Sequence, residues 1–192
     1  MALLYLPVAI VFRPSVRGLE NLPRGGGFVI AANHLSGFDS FALAVALAPR
    51  RLHFMAKNQL FARRFLGPVI RELGGFPARG SGASTGVAAA ARLARKGRGV
   101  VIFPTGARHR GDRDHRARGG AAQTALSGDV PLVPAAISGT DGWRRLQRWH
   151  VAVGPAVPLD DLDGPQAVAE ATRRLWAAIE ELCRELPQEV AA

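Results

Sequence analysis

Short, uninterrupted apolar runs separated by stretches of helical character are the feature that most restricts the fold of this chain. The clearest strand-length runs are residues 28–32, 100–103, 132–137 and 151–153, with weaker ones at 16–17 and 52–56. Helical stretches lie among them at residues 38–48, 58–71, 85–96 and 165–186. Strands that are apolar on both faces belong in a sheet covered by helices. The alternation therefore predicts an α/β sheet layered by helices.

Polar residues follow the run 28–32 directly, in residues 33–39. Open α/β sheets place their sites in the loops at the carboxyl ends of strands. A histidine in such a loop can act as a base when a carboxylate orients it: Asp39 would accept the Nδ1–H of His34, leaving Nε2 to take a substrate proton. Because residues five apart face different sides of a helix, we expect His34 in the turn before the helix begins.

The same spacing also has a purely structural explanation. Ser36 as the N-cap and Asp39 three residues later fit a capping box, in which side chains satisfy the free amides at the start of a helix. Glutamate or glutamine is more usual than aspartate at the second position. Spacing alone leaves both the capping box and the catalytic pair open.

A second polar loop, residues 103–108, follows the run 100–103. Gly106 permits close approach of the backbone to a ligand. Arg108 is the first of five arginines that extend to Arg118. Such a cluster can bind phosphate or can be a solvated loop that neighbouring aspartates partly neutralise. Both interpretations stay open at this point.

The formal charge of +10 is concentrated in the centre of the chain. Residues 50–118 carry sixteen basic and three acidic side chains, and 23 of the 25 basic residues are arginines. Arginine binds carboxylates and phosphates bidentately, which favours an anionic partner, although a codon preference for arginine would give the same composition. The phenylalanines of this segment lie in strand and helix patterns rather than between the arginines, which disfavours a nucleic-acid-binding domain.

The N-terminal residues 2–12 are apolar, with an interruption at Pro7. Such a segment is too short for a membrane-spanning helix, which needs about 20 residues. Residues 1–15 could lie in a membrane interface as an anchor, with Arg13 at the polar end, or could pack on the core of the domain. Both alternatives stay open.

A series of segments between residues 16 and 158 has the order of one family's motif blocks. Asn33-His34-x4-Asp39 is similar to the NHx4D motif of the glycerolipid acyltransferases, the family of bacterial 1-acyl-glycerol-3-phosphate acyltransferase. Phe103-Pro104-x-Gly106-x-Arg108 resembles the FPEGTR block of that family. The remaining segments that resemble its blocks are residues 18–23, 56–61, 74–79, 118–119, 130–137 and 153–155.

The resemblance implies a single-domain, mixed, largely parallel sheet flanked by helices, with the acyltransferase domain over residues 16–192. It implies that His34 is the general base that deprotonates an acceptor hydroxyl and that Asp39 orients it. The oxygen would attack the thioester of acyl-CoA or acyl-carrier protein directly, with no cofactor, no metal and no covalent acyl-enzyme. The substrate-binding residues implied by the family are Lys57, Arg79, Thr105, Gly106 and Arg108.

The third block departs from the family pattern. Its glutamate, which the family associates with acceptor binding, is replaced by Thr105, and the following threonine by Ala107. The expected acceptor is a lysophosphatidic-acid-like lipid. The alternatives are an acyltransferase for an acceptor without glycerol phosphate and a catalytically silent lipid-binding protein. The expected partners are the two substrates and an anionic membrane surface, with no nucleic acid, at the cytoplasmic face of the cell membrane or in the cytoplasm.

Overall fold

A single twisted sheet organises the chain in a computed structural model that describes residues 9–56, 58–64, 66–72, 74–77, 83–106 and 117–187. Within these ranges the sheet has seven strands in the order β1-β7-β6-β2-β5-β3-β4. The strands are β1 Ser15–Arg17, β2 Phe28–Ala32, β3 Leu52–Ala56, β4 Gly75–Pro77, β5 Gly99–Ile102, β6 Leu132–Ser138 and β7 His150–Val153. Neighbouring strands are parallel except for β6 and β7. The predicted mixed, largely parallel α/β sheet is confirmed.

Helices cover both faces of this sheet. They are α1 Asp39–Ala46, α2 Asn58–Phe61, α3 Leu66–Glu72, α4 Ala83–Arg95, α5 Gly120–Gly128 and α6 Ala167–Glu185. Successive side chains of β2 point to opposite faces because the period of a strand is two. Ile30 packs in the core beneath α1, whereas Val29 packs in the core formed with α4, α5 and α6. Because both faces of β2 are buried, every residue of this strand must be apolar, as the sequence indicated.

The predicted basic helix over residues 58–71 is wrong. The structure divides it into α2 and α3, and residues 62–64 form turns between them. Gly67 lies so close to α2 that a Cβ atom there would be 2.4 Å from the carbonyl oxygen of Phe61. Pro68 has no amide hydrogen and is tolerated only in the first turn of a helix, where α3 places it. The sequence analysis also did not identify β4 or α5.

The carboxyl ends of β2, β5 and β6 meet at one edge of the sheet, because these neighbouring strands are parallel. Residues 139–149 then return the chain into the antiparallel β7 at the same edge. Gly139 makes this return possible: its φ is +81°, and a Cβ atom would lie 2.3 Å from the carbonyl oxygen of Arg148. Loops from three strands are thereby brought to one place.

The start of the described chain contacts this same edge. Residues 9–12 form a helical turn, and the Phe12 ring stacks on the buried Trp149 with centroids 4.1 Å apart. The neighbouring side chains of Ile10 and Val11 are exposed. Among the helices that the structure describes, none has the length and apolar composition needed to cross a bilayer.

Candidate active site

His34 and Asp39 form a hydrogen-bonded pair at the carboxyl edge of the sheet. The Nδ1 atom of His34 lies 2.6 Å from Oδ2 of Asp39. A carboxylate can only accept hydrogen bonds, so we assign the shared proton to Nδ1, which leaves the lone pair of the neutral ring on Nε2. His34 precedes α1, in the turn, as predicted. Its side chain is partly exposed, so a substrate can reach the ring.

The carboxylate of Asp39 is fully buried and is held by four donors. Besides His34, the amides of Leu35 and Ser36 donate to Oδ2 at 2.7 and 2.9 Å. The hydroxyl of Thr140 donates to Oδ1 at 2.5 Å. Burying a charge is costly unless hydrogen bonds compensate it, and here both oxygens are satisfied. Asp39 is therefore fixed in one orientation, and it fixes the imidazole in turn.

Of the two alternatives that the sequence left open, the His–Asp pair is present, and only one of the two reciprocal bonds of the capping box forms, because α1 begins at Asp39 with Phe38, not Ser36, as its N-cap. Asp39 accepts the amide of Ser36, and the Ser36 hydroxyl accepts the amide of Phe38 at 3.0 Å. These two bonds satisfy amides in the turn before α1, while the amide of Asp39 donates to the carbonyl oxygen of Ser36. The same carboxylate also binds the histidine, so the helix terminus itself supplies the rigid support of the pair.

Thr140 is a member of the site that sequence reasoning missed. It is fully buried and follows β6, 101 residues after the aspartate that it contacts. The only local signal is a polar residue soon after a buried strand, the same pattern that pointed to His34. Recognising it required knowing that β6 lies beside β2 in the sheet.

Asn33 ties the loop that carries His34 to the sheet. Its side-chain amide donates to the carbonyl oxygen of Ile137 at 2.9 Å, and its side-chain oxygen accepts the Ile137 amide at 2.8 Å. The side chain thus extends the ladder between β2 and β6 by one residue pair. A side chain that both donates and accepts is needed directly before His34, and asparagine provides it.

The second predicted loop lies against the first. The His34 ring stacks on Phe103 with centroids 4.1 Å apart and planes 15° from parallel. Thr105 is buried. Gly106 has a φ of +67°, and a Cβ atom there would lie 3.2 Å from a guanidinium nitrogen of Arg118. The structure therefore places Thr105 and Gly106 in the loop beside the His–Asp pair.

Three of the predicted substrate-binding cations, Lys57, Arg79 and Arg108, lie outside the described residues. Their roles stay predictions. Cys183 lies in α6 and packs against the core on the far face of the sheet. Burial raises the pKa of its thiol to about 11, which makes it a poor nucleophile.

An apolar cavity of about 240 Å³ lies against α1, the helix that begins at Asp39. Gly37 and Ser40, which flank the start of α1, line one end, and Phe41 and Ala44 continue along that helix. The remaining lining residues come from β3, α2, α3 and β4: Phe54, Met55, Ala56, Leu60, Ile70 and Gly75. The cavity therefore joins an apolar volume to the loop that carries the histidine.

Together, the fold and the site define an α/β protein with a supported His–Asp pair at the carboxyl edge of its sheet. Residues 13–138 match the family model described as Acyltransferase. The 1-acyl-sn-glycerol-3-phosphate acyltransferase of Bacillus subtilis is 32% identical over 176 residues, covering 88% of this chain and 87% of that protein. The Pseudomonas aeruginosa protein of the same name is 30% identical over 186 residues, covering 91% and 70%.

A solved structure agrees with these relatives. The 1-acyl-sn-glycerophosphate acyltransferase of Thermotoga maritima matches with a TM-score of 0.65 over 88% of this chain and 72% of that one. At 22% identity this likeness shows the fold alone. The chain belongs to the acyltransferase family, and the predicted enzyme class, an O-acyltransferase resembling 1-acyl-glycerol-3-phosphate acyltransferases, is confirmed.

Proposed function

We propose that this chain transfers a fatty acyl group from acyl-CoA or acyl-carrier protein to the free hydroxyl of a lysophosphatidic-acid-like lipid. The observation that carries the proposal is the His34–Asp39 pair, since the bond at 2.6 Å leaves Nε2 of His34 as the available base. The acceptor class is supported by the names of the Bacillus and Pseudomonas relatives. The reaction needs no cofactor.

In the proposed reaction, Nε2 of His34 removes the proton of the acceptor hydroxyl as its oxygen attacks the thioester carbonyl. The tetrahedral intermediate then collapses: the carbon–sulfur bond breaks, and the leaving thiolate takes the proton back from the imidazolium. Asp39 keeps the ring in the required tautomer and stabilises its transient positive charge. An ester and a free thiol result, with no acyl group on the protein.

The apolar cavity supports the lipid nature of the substrates. Its walls are the side chains of Phe41, Phe54, Leu60 and their neighbours, and its lining includes Gly37, which lies between His34 and Asp39 in the sequence. An acyl chain buried there would place the thioester carbonyl next to His34. Lys57, Arg79 and Arg108 would hold the acceptor phosphate, as the family resemblance implies. We assign the chain to the cytoplasmic face of the cell membrane, as a peripheral protein, or to the cytoplasm.

The described start of the chain favours both earlier interpretations of residues 1–15. Phe12 packs on Trp149, as a helix on the core would, whereas Ile10 and Val11 expose apolar side chains, as an interfacial anchor would. We propose that this segment docks on the core through Phe12 and contacts the membrane through the exposed side. Residues 16–192 then form the acyltransferase domain.

A matched pair of acceptors tests the proposal. Lysophosphatidic acid and the monoacylglycerol of the same chain length differ only in the phosphate. With acyl-CoA as donor, we expect thiol release that depends on the acceptor, is faster with lysophosphatidic acid, and is lost in His34→Ala. Turnover by the variant at the wild-type rate would contradict the proposed base, and equal rates for both acceptors would contradict the phosphate requirement.

Thr105 favours a second candidate, an acyltransferase whose acceptor lacks glycerol phosphate. The family has glutamate at this position, and this chain has a buried hydroxyl instead. If the candidate is correct, monoacylglycerol or another neutral alcohol outcompetes lysophosphatidic acid, and Thr105→Glu reverses the preference. No turnover with any acceptor in a broad panel would leave the silent lipid-binding protein as the function.

A further inference from the structure

A turn beside the active site exposes large apolar side chains to solvent. Residues 143–146, here called the tryptophan turn, begin with a short helical turn at Trp143–Arg145. Trp143 is 39% exposed and Leu146 is 62% exposed. Their exposure is not explained by packing. In the described part of the chain, the other large apolar side chains that are exposed are Ile10, Val11 and Leu19.

Leu146 occupies a backbone conformation that disfavours it. Its φ is +54°, in the left-handed region where glycine and asparagine are the usual residues. A leucine there has a strained backbone, and its side chain is exposed to water. Neither its backbone conformation nor its side chain therefore stabilises the folded chain. An outlier of this kind points to a role for the side chain outside the fold.

Basic groups surround the exposed apolar side chains. The guanidinium of Arg144 lies 5.2 Å from the centre of the Trp143 ring. Arg145 and Arg148 are also exposed, and residues 139–149 contain a single acidic residue, Asp141. Tryptophan beside arginine is the combination that binds the interface of an anionic bilayer, where the ring enters the headgroup region and the guanidinium meets phosphate.

The tryptophan turn is connected to the catalytic loop and to the start of the chain. Phe38, which precedes Asp39, lies 5.1 Å from the Trp143 ring and 6.1 Å from the Trp149 ring. Arg148 donates through Nε to the carbonyl oxygen of Arg13 at 2.9 Å. A bilayer that contacts the tryptophan turn would therefore lie next to the His–Asp pair.

From this arrangement we propose that the tryptophan turn is a membrane-docking surface for a bilayer of anionic phospholipid. The proposal rests on the proposed function in one respect. The reason for docking would be to bring a lipid acceptor from the bilayer to His34. Exposed tryptophan and leucine supply apolar insertion, and the arginines supply charge complementarity to the headgroups. The tryptophan turn lies beside the start of the described chain, so both would contact the same bilayer, and the variants below change the turn alone.

The test measures sedimentation of the full chain with vesicles of phosphatidylglycerol and phosphatidylcholine, without substrate. The apolar variant is Trp143→Ser with Leu146→Asn, and asparagine suits the left-handed backbone at that position. The charge variant is Arg144→Gln with Arg145→Gln. There are two matched controls. One is Leu19→Ser, and the other is Arg95→Gln combined with Lys96→Gln. Both alter exposed residues at the end of the sheet opposite the tryptophan turn.

We expect each tryptophan-turn variant to lose at least about tenfold in vesicle partitioning, and the controls to lose less than about twofold. Brominated phosphatidylglycerol should quench fluorescence of the wild-type chain more than that of Trp143→Phe. Unchanged partitioning of both turn variants, or equal losses in the controls, would overturn the proposal. It would also be overturned if the wild-type chain is a dimer in solution that the apolar variant converts to a monomer, because a second copy would then cover the turn.

Vesicle binding is independent of turnover, so the two proposals fail separately. If His34→Ala retains activity while the turn variants lose binding, the proposed mechanism is wrong and the docking surface stands. Transfer to a water-soluble, short-chain acceptor should be unaffected in the turn variants. Loss of that activity as well would show that the substitutions damage the active site, and would contradict a role confined to docking.

Discussion

Two histidines in this chain occupy opposite ends of nearby strands and have opposite surroundings. His34 follows the carboxyl end of β2, and its Nδ1 binds the buried Asp39. His53 lies near the amino end of β3, where Nε2 is buried without a hydrogen-bond partner. Burial lowers the pKa of His53, and the positive charges of Arg98 and Arg51 lower it further, against a smaller opposing effect of a hydrogen bond to the Gly74 backbone.

The difference shows what makes a histidine useful as a base in this fold. A catalytic imidazole must take a proton, hold it briefly and return it. Asp39 compensates the positive charge that forms on His34, whereas Arg98 would oppose a positive charge on His53. The residue type is the same, so the environment at the two ends of the sheet assigns the roles.

The largest expected effect separates the two histidines directly. His34→Ala removes the proposed base, and we expect acyl transfer to fall by about three orders of magnitude. His53→Gln, at a site with no link to the reaction, should stay within about twofold of the wild type. Initial rates of thiol release measure both. Comparable losses of activity in the two variants would contradict the assignment of the base to His34 and not to His53.

A smaller effect is expected when His34 loses its acidic partner and so becomes more like His53. Asp39→Asn keeps the shape of the side chain but removes the charge that fixes the tautomer. We expect kcat to fall by about a hundredfold or more, with KM for the acyl donor little changed. Circular dichroism controls for folding, since Asp39 also holds the amides of Leu35 and Ser36 in the turn before α1. A folded variant with wild-type kcat would exclude the orienting role.

Thr140 should have a smaller effect again, because it acts through Asp39. Thr140→Val removes one of the four donors to the carboxylate, and one hydrogen bond corresponds to about a tenfold decrease in kcat. Thr140→Ser keeps the hydroxyl and should restore the activity. If serine and valine variants are equally impaired, Thr140 contributes packing rather than positioning of the aspartate.

The smallest expected effect is on the pH dependence of the free energy of unfolding, and it comes from His53. Its pKa is lower in the folded chain than the usual 6.5, so the unfolded chain binds more protons just below that pH. The free energy of unfolding should therefore fall as the pH drops through 6.5 toward the pKa in the folded chain. Denaturant titrations of the wild type and His53→Gln should show a weaker fall in the variant. Identical pH dependence would contradict the unfavourable surroundings inferred for His53.

The His–Asp pair was predictable from the sequence because its two members belong to one loop. The apolar run 28–32 located the strand end, and the five-residue spacing located the carboxylate. The rest of the support depended on which strands become neighbours. Thr140 and Ile137 contact the loop only because β6 pairs with β2, and the apolar runs contain no information on strand order.

Local breaks were also harder to predict than whole elements. Most of the predicted strands and helices are present within a few residues, since their apolar patterns reflect burial on both faces. The basic stretch over residues 58–71 was predicted as one helix although it contains Gly67 and Pro68, the two residue types of lowest helix propensity, and the structure divides it before them. The Gly-Pro pair was a local signal for the break, whereas the close approach of Gly67 to the carbonyl oxygen of Phe61 depends on tertiary packing.

A single-turnover experiment distinguishes direct acyl transfer by His34 from a mechanism with an acyl-enzyme intermediate. Wild-type chain in excess is mixed with labelled acyl-CoA, with or without lysophosphatidic acid in vesicles, and quenched at intervals. We expect thiol and ester to form together and only when the acceptor is present, no label to be attached to the protein, and His34→Ala to form neither product. Label on the protein, or thiol release at the same rate without an acceptor, would contradict direct transfer with His34 as the base.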